Sequence, residues 1–317
     1  MKLLLLFAVP LAVSAQAWLF PKGEGTVSLS YQNIFVRDHV YSKGDAHDIG
    51  HILSHAATLS VDYSLTDRLA VSVNVPFVAS KYYGPRPHQL PIDNGTYNSG
   101  FQDFTTDVRY SLSRHPVVLT PFFRAVIPSH NYEYFAHSAV GRDQREFQLG
   151  ANFGRRLNPI VPNAFVQARY SYAFVERILG IAPNRSDAEI QIGYFLTHRL
   201  SLLGTGQWTY THSGVDLTFH VFHGGLNDDQ WPHHDQIAKA SLLDVGGGAA
   251  YAVNGSLEMF VSMARSVEGR NGHLHAAVVT IGLSRTFGAR IERVTTAAVN
   301  GGPAPQRALV CTCAKTK

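Results

Sequence analysis

Apolar and polar residues alternate with a period of two along most of this chain, and that pattern limits its fold more than any other feature. In residues 57–65, Leu59, Val61, Tyr63 and Leu65 alternate with Thr58, Ser60, Asp62 and Ser64; in 69–77 the apolar set is Leu69, Val71, Val73, Val75 and Phe77. Successive side chains of a strand point to opposite faces, so each segment has one apolar and one polar face. The pattern returns in 26–36, 103–112, 117–127, 146–153, 164–174, 187–196, 200–210, 239–253, 257–263 and 276–287, about twelve strands in all. Most have the length of about 9–11 residues that a tilted membrane strand needs. Although 45% of the chain is hydrophobic and only 16% charged, no stretch after the first residues is long enough for a membrane helix, which needs about 20 apolar residues.

Connection lengths alternate as well. Short ones fall at 66–68, 113–116, 158–163, 197–199 and 254–255, and longer ones at 42–50, 81–100, 129–144, 177–184, 212–235 and 267–272. A soluble β-sandwich has no reason to sort its loops in this way. An outer-membrane barrel does, with short turns on the periplasmic rim and long loops outside. The predicted fold is therefore all-β: an antiparallel up-and-down transmembrane β-barrel of about 12 strands.

Opposed residues on antiparallel strands share a face, which ties turn length to side-chain phase. The turn at 66–68 pairs Tyr63 with Val71 and Asp62 with Ser72, and that at 197–199 pairs Glu189 with Gln207. A three-residue loop at 253–255, with Gly255 left-handed as a bulge, pairs Tyr251 with Leu257 and Ala249 with Met259. Pairing Leu112 with Val117 sets Arg124 opposite Thr105, diagonal to Asp103 and Asp107. Tyr31, Phe35, Phe77, Tyr110, Phe153, Tyr170, Phe174, Tyr194, Trp208, Tyr210 and Phe287 lie where aromatic girdles belong.

The ends define three regions. Lys2, the apolar run from Leu3 to Val13 and Ala15-Gln16-Ala17 have the layout of a secretory signal peptide over 1–17. The barrel is expected over 18–288. Residues 289–317 hold five basic residues and one acidic one, which matches the whole net charge of +4. With Lys2 in the leader, 18–288 carry about one net negative charge, so the basicity belongs to a periplasmic tail expected to be unstructured and does not point to nucleic acid. The only cysteines, Cys311 and Cys313, lie in that tail and are too few for a structural zinc site.

The same phase turns Asp62, Asp103, Asp107, Arg109, Arg124, Glu146, Gln148, Arg169, Asp187, Glu189 and Gln207 into the lumen, where they could line an aqueous path or fill it with ion pairs. Residues 212–235 form the odd loop: Leu217, Phe219, Val221 and Phe222 make it apolar enough to fold over or into the mouth as a gate, or to extend as strands beyond the membrane. Its His220, His223, His233 and His234 are the candidate ligands should the chain hold a transition metal, although no cofactor is assigned. Thr211-His212-Ser213 sets a His beside a Ser, but strand neighbours face opposite sides and nothing orients the His, so no enzyme is expected.

Residues 63–77 (YSLTDRLAVSVNVPF) and 100–112 (GFQDFTTDVRYSL) resemble a family of outer-membrane transport barrels associated with the meta-cleavage pathway of phenol degradation. The resemblance covers most of the chain in layout and implies uptake of small, aromatic or hydrophobic molecules. Fatty-acid transporter barrels are a more distant likeness; they carry an N-terminal hatch, for which this chain leaves no room before its first strand. The expectation is a monomer in the bacterial outer membrane, inserted by the barrel assembly machinery among outer-membrane lipids, that passes or binds small solutes. The alternative is a structural or surface-interaction barrel with a lumen filled by side chains.

Overall fold

The computed structural model describes residues 17–288; most of the expected leader and the basic tail at 289–317 lie outside the described residues. Thirteen strands form one sheet: β1 (Gly25–Val40), β2 (Ala46–Ser64), β3 (Leu69–Tyr83), β4 (Asn98–Phe101), β5 (Asp103–Tyr110), β6 (Val118–Pro128), β7 (Glu146–Arg156), β8 (Ala164–Val175), β9 (Arg185–Phe195), β10 (Leu200–Thr211), β11 (Ser241–Ala252), β12 (Leu257–Arg270) and β13 (Gly272–Phe287). β4 and β5 are two arms of a single stave, both paired with β3 and interrupted at Gln102. β13 pairs with β1 from Phe287↔Gly25 upward, which closes a barrel of twelve antiparallel staves. Apart from the short β4, which pairs only with β3, closure pairs every stave on both sides, the condition for placing a sheet in lipid.

The alternation decides which face is which. Leu59, Val73, Leu149, Ile190, Ile192, Val261 and Ile281 are exposed on the outside, an apolar surface that water would penalise and lipid would not. At the short-turn rim Tyr63, Tyr110, Phe153, Tyr194, Tyr251 and Phe287 form an exposed aromatic ring; Phe77, Phe101, Phe147, Phe174 and Trp208 do so higher up. Phe35 and Tyr210 are only half-exposed.

Turn chemistry fixes the register at two hairpins. Thr66 Oγ1 accepts from the N–H of Arg68 and Leu69, and Thr197 Oγ1 from those of Arg199 and Leu200. These twin Thr-x-Arg turns pair Tyr63 with Val71, Asp62 with Ser72 and Glu189 with Gln207, as predicted. Two other registers differ from expectation by two residues. Arg124 stands directly opposite Asp107 because Ser113 bridges Leu119, beyond the expected turn. Tyr251 pairs with Met259, and the left-handed glycine expected at 255 is replaced by an Asn254 side chain accepting from the N–H of Ser256 and Leu257.

Two expected outer loops are mostly strand. β2 begins at Ala46, inside the segment read as the loop 42–50, and β12 and β13 extend through 267–272 to a turn at Asn271. The hairpins β1–β2 and β12–β13 therefore rise above the shorter staves β6–β9, whose 11 or 12 residues suffice to span.

Candidate functional site: the lumen and its mouth

A ladder of ion pairs climbs one wall of the lumen. Near the periplasmic end an Arg109 NH2 group donates to Asp62 at 2.5 Å, both side chains being 4% exposed. Above it Arg124 grips Asp107 through Nε (2.6 Å) and an NH2 group (2.9 Å), while Arg169 reaches the same carboxylate at 3.6 Å. The Arg169 guanidinium lies 3.7 Å over the Phe122 ring and directly across from Glu189 on β9. At the outer end Arg185 makes two bonds to Glu146 (2.5 and 2.6 Å) and one to Asp187 at 3.2 Å. Such charge-assisted, partly bidentate contacts are the strong hydrogen bonds.

Of the eleven polar residues proposed for the lumen, Asp62, Asp107, Arg109, Glu146, Gln148 and Arg169 are buried and Asp103, Arg124, Asp187, Glu189 and Gln207 half-buried. Asp103 stands apart from the ladder and accepts from the hydroxyl of Tyr132, in the 129–145 loop. Arg185 and Asp244 were missed; both were legible, since Arg185 is in phase with Asp187. Asp244 accepts from Ser266 Oγ at 2.7 Å and lies 2.9 Å from His275 Nδ1.

The facing wall is different. In phase with Asp244, β10 to β13 and β1 present the small Thr205, Gly246, Gly248, Ser262, Thr280 and Ser28, with the larger Leu203, Phe260, Val278 and Ile34 among them. The lumen thus has a charged, arginine-rich side and a largely uncharged one.

Both ends are narrowed. At the periplasmic rim, residues 17–24 leave β1 and cross to the opposite staves. Ala17 N–H donates to Gln167 Oε1 (2.9 Å), its carbonyl accepts from Thr120 Oγ1 (2.7 Å), and Trp18 meets Phe165 edge-on at 6.2 Å. Gly154 makes room for them, since a Cβ there would lie 2.6 Å from that of Ala17. At the outer rim, the segment 212–240 folds into the mouth through Leu217, while Val221 and Phe222 stay exposed. Leu217 and Ile237 are fully buried, Val215 bridges Ala238, and Leu217 N–H donates to Asn271 Oδ1 at 2.9 Å.

The loops at 84–97 and 129–145 complete this lid. Asp93 joins them, accepting from the N–H of His88, His137 and Ser138 and from Ser138 Oγ at 2.8–3.0 Å. Burial alone would raise its pKa, but the bonds from Ser138, His137 and His88 hold it below the usual carboxylate range. Burial pushes the His88 imidazole down to about 2 and that of His137 to about 4. The four histidines proposed from sequence do not converge. His220 is exposed, His223 lies 3.6 Å from Asp228, and His233 bonds Gln236. Only His234 is fully buried in the lid.

His212 does reach a serine, but on another strand: its Nε2 is 2.8 Å from Ser186 Oγ, which also bonds the Tyr170 hydroxyl. Ser186 is 3% exposed and closed to a substrate.

A closed barrel with an apolar belt, aromatic girdles and a charged lumen defines the outer-membrane β-barrel class, and this chain is a bacterial outer-membrane barrel of that kind. Its structure is similar to that of an outer membrane channel from Pseudomonas putida F1 (TM-score 0.66, 16% identity, covering 86% of this chain and 98% of that one). It is also similar to the translocator domain of the autotransporter NalP from Neisseria meningitidis (TM-score 0.50, 13% identity, 87% and 92%). At these identities the likeness concerns the fold. The sequence matches no family model and no curated protein.

Proposed function

We propose that this barrel passes small solutes across the outer membrane, entering under the lid and leaving past the 17–24 segment, and that it is not an enzyme. The carrying observation is the two-sided lumen. A series of ion pairs from Asp62 to Arg185 faces a largely uncharged wall, and the strip between the two is where a solute would slide beside fixed charges. Preorganised ion pairs do not collapse into that strip, since each guanidinium is already held. The similarity to an outer membrane channel supports this reading.

The finer reading is a small aromatic or amphipathic solute. Phe135 and Trp231 line the lid and could stack a ring, while the ladder arginines could take a polar substituent. The resemblance of 63–77 and 100–112 to transport barrels associated with phenol degradation implies the same class.

Planar-bilayer recording tests the proposal. The wild type is expected to give small current steps. A variant combining Trp18→Ala with Leu217→Asp, which loosens both closures, is expected to conduct several-fold more, with a buried carboxylate forcing the lid open. If both proteins fold, as heat-modifiable migration on gels would show, and both stay silent, the lumen is a filled structural core and the transport reading fails.

A further inference from the structure

The lid contains a second, denser constellation. His39 at the end of β1 stands opposite His273 at the start of β13, their rings stacked at 4.7 Å. His88 and His137, from two different loops, stack at 3.6 Å, and His88 meets the His234 ring edge-on at 4.8 Å. Asp235 lies among them, 3.5 Å from His234 Nε2 and 4.0 Å from His273 Nδ1. Among the described residues eleven buried side-chain nitrogen and oxygen atoms lack a hydrogen-bond partner, and five are ring nitrogens of this group: His39 Nε2, His88 Nδ1, His137 Nδ1, His234 Nε2 and His273 Nε2.

Orphaned buried polar atoms are rare in folded proteins, and five in one cluster ask for a shared cause. Two of them are also oriented. His234 Nδ1–H donates to the Trp231 carbonyl (2.9 Å) and His137 Nε2–H to that of Arg86 (3.0 Å). Each bond fixes the tautomer and leaves a lone pair on the other nitrogen. A backbone carbonyl behind an imidazole is the usual outer support of a metal-ligating histidine.

We propose that His88, His234 and Asp235 bind a divalent transition metal ion of the zinc class, with His273, whose Nδ1 is 4.0 Å from Asp235, beside them. Their ligand atoms lie within 4.8 Å of one another. A tetrahedral ion with bonds of about 2.0 Å sets its ligands about 3.3 Å apart, so binding leaves the His234–Asp235 pair, at 3.5 Å, nearly in place and closes the wider separations by up to about 1.5 Å. Two imidazoles and a carboxylate suit zinc, and also cobalt, nickel or copper. Because His88 comes from the 84–97 loop and the other two from the short helix His234–Ile237, the ion clips two lid segments together. The site does not depend on whether the lumen conducts.

Titrating zinc into the folded, detergent-solubilised full chain by calorimetry is expected to show one tight site. His88→Gln, His234→Gln and Asp235→Asn should each weaken it at least tenfold, while His220→Gln and His223→Gln leave it unchanged. Cobalt should give the intense visible bands of a tetrahedral nitrogen–oxygen site, lost in His234→Gln. Heat-modifiable migration identifies the variants that remain folded, and Asp235→Asn, nearly isosteric, keeps the test decisive if a histidine variant misfolds. Absence of stoichiometric binding, or binding that only the His220 and His223 variants reduce, would overturn the proposal.

Discussion

Replacing Asp107 with alanine is expected to destabilise the folded barrel by about 3–5 kcal/mol, the cost of breaking a buried ion pair by removing one partner. Asp107 is the hub of the ladder: it takes both bonds from Arg124, an ion pair from Arg169 and a hydrogen bond from Ser72 Oγ at 3.3 Å. Without it two guanidiniums face each other across a low-dielectric wall. The loss should fall near the lower end of that range because Glu189 remains opposite Arg169. Adding Arg124→Met should recover much of it, since removing both partners of a buried pair is often close to neutral. Denaturant unfolding from phospholipid vesicles reads both numbers. An Asp107→Ala barrel as stable as the wild type would mean that the lumen is wet enough to screen the ladder.

Ile190→Arg is expected to cost about 2–4 kcal/mol in the same assay, the penalty for a cation on the lipid face at mid-membrane. Ile190 is near the middle of β9, 47% exposed, with Ala168 and Gly206 beside it. Gln207→Arg, on the lumen face and opposite Glu189, should change stability by less than about 1 kcal/mol because a new cation there meets a carboxylate. Had the outer face met water, Ile190→Arg would be a surface change within about 0.5 kcal/mol.

The barrel was legible because alternation, turn length and loop sorting are constrained together. Phase, however, specifies only parity. A register slip of two residues keeps every side chain on its face, and the pairings expected across the turns near Pro116 and Gly255 differ from the observed ones by that slip, which moves each turn by one residue. At Thr66 and Thr197 the threonine hydroxyl closes the turn at one length, and there the register was read correctly. Only the upper arms of the projecting hairpins β1–β2 and β12–β13, expected as loops at 42–50 and 267–272, escape the pattern, because a strand above the membrane no longer needs an apolar face. His39, His88, His137, His234 and His273 come from separate segments, so only the fold brings them together.

In the barrel wall Ile190 faces lipid while its neighbour Gln191 faces the lumen. Fluorophores attached at Ile190→Cys and at Gln191→Cys, in a chain whose Cys311 and Cys313 are serine, measure this directly in vesicles. The label at 190 should be quenched by lipids with brominated tails and spared by aqueous iodide, and the label at 191 should show the reverse. Identical responses at the two positions would contradict the barrel wall as described.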